Sequence, residues 1–163
     1  MTSEAANDET IQVLDAIGDV HIALIDAVHG YDVLLEKAEP GIENVLRTTR
    51  QTTDAQAQDL ARFLTGQGRH PSQDESLLSA VHEGMIRTKS FFTDIDGDVL
   101  PAVAEGERRL VTCYDDALET LAKNMQHLPP DTSDAAHTLL LGHRSEIEDV
   151  VRRLYVRHSE LES

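Results

Sequence analysis

The hexapeptide Tyr31-Asp32-Val33-Leu34-Leu35-Glu36 returns as Tyr114-Asp115-Asp116-Ala117-Leu118-Glu119, late in each of two long amphipathic stretches. A repeated Tyr-Asp-x-x-Leu-Glu in that setting points to two halves built alike. Each copy is followed by a breaker and a further helix-like segment, so the simplest object the chain can form is a pair of helical hairpins facing each other. The halves differ seven residues before the tyrosine, where the first has Leu24 and the second has Glu107. That difference bears on whether such a bundle could hold metal.

Apolar residues set the helices. Ile11, Leu14, Ile17, Leu24, Val28, Tyr31 and Leu35 recur at steps of three, four or seven, which keeps one helix face inward. Pro40-Gly41 interrupts this run, and a second stripe follows through Ile42, Val45, Leu46, Leu60, Phe63 and Leu64. In its middle, Thr49, Thr53 and Gln56 occupy the inward register, so the centre of the bundle is expected to be polar. After the breaker Gly66-Gln67-Gly68-Arg69-His70-Pro71, a short crossover segment carries Leu77, Leu78, Val81 and Met85. A further stripe runs through Leu100, Val103, Val111, Tyr114, Leu118 and Leu121, with Glu107 in the same register. The last comprises Ala136, Leu140, Ile147, Val150 and Leu154, with His143 on the same face. The spacing predicts helices at about 9–38, 41–65, 75–92, 99–124 and 133–158, the last capped by Thr132 or Ser133. Residues 1–8 are expected to form a flexible acidic tail, 9–158 the bundle, and 159–163 a frayed end.

The sequence has 163 residues, 40% of them hydrophobic, enough for one domain with its own core. Thirty acidic residues against fourteen basic give a formal charge of −16, which disfavours nucleic acid and anionic membranes as partners because like fields repel. Cys113 is the only cysteine, so neither an internal disulfide nor a thiolate zinc site is expected. The N-terminal residues lack a basic and apolar leader pattern, and no stretch reaches the ~18 apolar residues of a membrane span, so a cytoplasmic protein is expected. Asp94-Ile95-Asp96-Gly97-Asp98 resembles a calcium loop only at first sight. The rest of that loop's spacing is not there, and helix capping is the expected role.

Di-iron helical bundles draw a Glu from each of two helices and a Glu-x-x-His from each of the other two, because residues at i and i+3 aim two ligands at one metal pair. No Glu in this chain has a His three residues later. The nearest substitute is the reversed His143-x-x-Glu146. Candidate metal residues are therefore Glu107, His143 and Glu146, and the candidate buried polar cluster is Tyr31, Thr49, Thr53, Gln56, Glu107, Tyr114 and His143. A carboxylate on an apolar face needs a partner, and His143 is the expected one for Glu107.

Gly30-Tyr31, Gly68-Arg69-His70-Pro71, Ser76 with Val81-His82, Glu105-Gly106-Glu107 and Tyr114-x-x-Ala117-Leu118, in this order and spacing, resemble a bacterial family of ferritin-like four-helix-bundle proteins known as a domain of unknown function. The likeness runs from about Leu14 to Leu154 and extends to the superfamily of rubrerythrins and bacterioferritins. It implies an all-α, ferritin-like antiparallel four-helix bundle with a short crossover helix between two pseudo-symmetric hairpins. It also implies a stress-linked bacterial setting. In that superfamily a ligand Glu stands seven residues before a helix tyrosine, as Glu107 does before Tyr114, whereas Leu24 departs from the pattern. The expected function is that of a non-catalytic bundle without cofactor, acting through self-association, as a dimer, or through a protein partner. The alternative is a divergent oxidase or ferroxidase holding iron or manganese through Glu107, His143 and Glu146.

Overall fold

Proline and glycine set the helix boundaries. The computed structural model describes residues 2–71 and 95–163. Four long helices hold most of them: α1 (Thr2–Leu35), α2 (Pro40–Gly66), α3 (Leu100–Asn124) and α4 (Pro130–Glu162). Pro40, Pro101 and Pro130 sit in the first turns of α2, α3 and α4, where a missing N–H costs nothing and the ring presets φ. At the end of α2, Gly68 takes φ 78° and the Arg69 N–H reaches back to the Leu64 carbonyl at 2.9 Å. The Gly68 N–H meets the Thr65 carbonyl, completing a left-handed helix stop.

Among the described residues there is no strand, and a lone bridge pairs Ala38 with Ile95. Through it the link between α1 and α2 is tied to the approach to α3: Ile95 donates to Lys37 O at 3.1 Å and Glu39 donates to Ile95 O at 2.9 Å. Asp96 then caps the 3-10 turn Gly97–Val99 by accepting from the Asp98 N–H, the capping role expected of this acidic run. α1 packs on α2 and α3, and α4 on α3 and more sparsely on α2. Around the bundle the order is therefore α1, α2, α4, α3.

The helices start and stop close to where periodicity puts them, with two differences. α1 begins at Thr2, so most of the segment read as an acidic tail is helical, and α4 runs to Glu162. Neither Thr132 nor Ser133 caps α4; Pro130 starts the helix earlier, and among the described residues the buried Ser133 hydroxyl has no hydrogen-bond partner. The expected crossover helix at 75–92 lies outside the described residues.

Two apolar clusters form the core. One gathers Ile17, Leu24, Leu60, Leu121 and Leu140, the other Ile42, Leu46, Leu100, Ala104 and Leu154. Ile11 is exposed rather than inward, while Val13, Val20 and His21 are buried, because α1 is covered by both α2 and α3 and its buried face is wider than one stripe.

Candidate functional site

A polar layer separates the two apolar clusters. Thr49, Thr53 and Gln56 from α2, Glu107 from α3 and His143 from α4 are all at most 4% exposed, and Tyr31 from α1 and Tyr114 from α3 are buried with them. Helical spacing explains the assembly: each residue continues the inward stripe of its own helix, so packing the stripes buries them at mid-height. Buried polar groups then need partners. Both threonines find theirs locally, Thr49 donating to Val45 O at 2.8 Å and Thr53 to Thr49 O at 2.9 Å.

The rest of the layer falls into two separate networks. In the first, the Tyr31 hydroxyl of α1 donates to Glu107 Oε1 on the neighbouring α3. Burial pushes the Glu107 carboxyl up to about 7, against the opposing effect of the Tyr31 hydrogen bond. Burial likewise raises the Tyr31 phenol well above its ordinary value, and the neighbouring carboxylate adds to the shift. Tyr31 therefore stays neutral and acts as the donor.

The second network runs from core to surface. Tyr114 Oη lies 2.9 Å from His143 Nδ1, and His143 Nε2 lies 3.0 Å from Asp59 Oδ2, whose side chain is 37% exposed. Asp59 can only accept when ionised, so Nε2 carries the proton towards it and Nδ1 accepts from the phenol. Gln56 braces the same group: its amide donates to His143 O at 3.2 Å and to Glu146 Oε2 at 2.9 Å, and its Oε1 lies 3.5 Å from the Tyr114 hydroxyl. The Tyr114 and His143 rings meet edge to face with centroids 5.7 Å apart. Burial, then the surrounding carboxylates of Glu146, Asp59 and Glu107, hold the Tyr114 phenol far above its usual range.

The expected pairing of Glu107 with His143 is thus corrected. Glu107 is bonded to Tyr31, and His143 to Tyr114 and Asp59. The reason is axial: Glu107 and Tyr114 stand two turns apart on one face of α3, about 10 Å, and His143 sits at the level of Tyr114. Asp59 was the residue missed by sequence reasoning. It lies one turn beyond Gln56 at the rim, and only the i+3 step from Gln56 hinted at it.

The three candidate metal residues do not converge. Glu107 and His143 belong to different networks, Glu146 lies at the exposed rim against Gln56, and among the described residues no three His, Cys, Asp or Glu side chains form a group able to hold a metal ion. What the layer can do chemically is hold register, and pass a proton between Tyr114, His143 and the solvent-touching Asp59. Searches of curated proteins and of solved structures find no match. A family model described as Domain of unknown function (DUF2383) does match residues 12–120, from α1 to near the end of α3, a span that takes in Tyr31, Gln56, Glu107 and Tyr114 but stops short of α4. The chain belongs to that family.

Proposed function

We propose that this protein is an antiparallel, ferritin-like bundle of two pseudo-symmetric hairpins that works without metal or catalysis, as a cytoplasmic interaction protein of a stress-linked setting acting through its surface. The observation that carries the reading is the state of the candidate ligands. Glu107 is engaged by Tyr31, His143 by Tyr114 and Asp59, and Glu146 by Gln56, so each is satisfied by protein. A metal would have to break these bonds and draw together groups that sit at different levels. The cyclic order α1, α2, α4, α3 supports the hairpin arrangement. So does the repeat itself. Tyr31 of the first copy bonds the acid that stands seven residues before the second tyrosine, whereas Tyr114 shares its apolar cluster with Leu24, the matching position in the first half. Without an acid there, Tyr114 turns to His143 instead.

The test is elemental analysis of protein purified without chelators from cells supplied with iron and manganese. Metal far below one ion per chain is expected. About two ions per chain, the stoichiometry of a di-metal bundle, would establish the oxidase or ferroxidase reading and overturn this one.

A further inference from the structure

We propose that a second copy of this chain docks on the groove between α2 and α4, antiparallel about a two-fold axis; the proposal rests on the preceding reading and names the face through which self-association runs. The groove has a volume of about 870 Å³ and is lined by Thr48, Thr52 and Ala55 of α2 and by Arg152, Arg153 and Val156 of α4, among others. It follows the seam where two neighbouring helices pack most sparsely. Val156 stands in it 57% exposed, more than Ile11, Met125, Leu141 or Leu161.

Charge selects the occupant. At −16, two copies repel one another over most of their surfaces. In the groove itself charge is balanced, because Arg152, Arg153 and Arg157 offset Glu146, Asp149 and Glu160 there. Arg152 pairs with Asp149 and Arg157 with Glu160 inside the chain. Arg153 has no hydrogen bond or ion pair among the described residues. Along α4 the acids Glu146 and Asp149 come before Arg153 and Arg157, so an antiparallel copy would bring acids against arginines twice over, as an isologous interface requires. The α2 side, with Thr48, Gln51, Thr52 and Ala55, is uncharged and small enough to let the partner helix approach. Because the lining is shorter than the roughly 20–30 residues a side of a standard interface, a dimer of micromolar strength is expected.

Sedimentation of the full chain from roughly 1 to 200 µM tests this. Wild type is expected to pass from monomer to dimer across that range, and Val156→Asp to stay monomeric. Arg153→Asp and Asp149→Arg should each weaken the dimer at least tenfold, and the double variant should restore it. Leu141→Asp, exposed on α4 outside the groove lining, should leave it unchanged. All these positions are exposed, and circular dichroism confirms folding. Wild type that is monomeric throughout overturns both the proposal and self-association. A dimer indifferent to Val156→Asp and to the charge reversals overturns this face alone. Singles that weaken without rescue in the double overturn the antiparallel two-fold.

Discussion

Glu107 is a carboxyl held at 2% exposure by its position on α3, with the Tyr31 hydroxyl as its donor. Its carboxyl, raised to about 7 against an ordinary 4.5, makes burial cheaper for the protonated form. The contribution to stability is therefore fully present below about 4.5 and is lost as pH rises through about 7. Compared with Glu107→Gln across pH 4 to 8, wild type should lose about 3 kcal/mol over that window. A pH-independent difference between the two in denaturant melts would contradict the assignment. Tyr31→Phe should cost about 1–3 kcal/mol above pH 7, where it strands an ionised carboxylate, and less in acid. Combining it with Glu107→Leu should recover part of the loss, and additive shifts in the double-mutant cycle would show that the pair is not coupled. These residues were legible as a buried set, because each sits on an apolar stripe. Their pairing was not: a stripe tells which face turns inward but not which turns of different helices share a level, and Glu107 was matched to the wrong partner for that reason.

At the scale of helices, the same substitution should have opposite effects at two glycines. Gly68 ends α2 with φ 78° and has open space around its Cα, so Gly68→Ala adds backbone strain alone and should cost about 1 kcal/mol. Gly106 lies inside α3 with nothing within 4 Å of an added Cβ. Gly106→Ala should gain about 0.5–1 kcal/mol by lowering the entropy of the unfolded chain. Equal signs in the two thermal melts would contradict the boundaries drawn here. Breakers such as Pro40-Gly41 and Gly68 made these boundaries readable in advance. Two limits were hidden. α1 starts at Thr2, well before its buried residues Val13, Leu14 and Ile17, and an apolar stripe marks only the part of a helix that has something to bury against. At α4, Ser133 looked like a cap by type, but Pro130 fixes the first turn upstream and carries Ser133 into the packed face.

The whole molecule carries a charge of −16, so self-repulsion opposes its compact state. Raising salt from about 0.05 to 1 M should raise the melting temperature by several degrees, since screening relieves that repulsion by more than it weakens the exposed ion pairs of Arg47, Arg62 and Lys123. A fall would mean that the surface pairs dominate. The two apolar clusters sandwich a layer whose hydrogen bonds close on the protein itself, and the account depends on that closure. A thermal melt of metal-free protein, repeated with manganese(II) or anaerobic iron(II) up to about 1 mM, probes it directly. A specific site with a dissociation constant of about 10 µM would add about 2.7 kcal/mol at that concentration. The account predicts no metal-dependent rise in melting temperature in either wild type or Glu107→Gln. A rise of several degrees that Glu107→Gln or His143→Leu abolishes would show that the layer opens to take metal, and would contradict it.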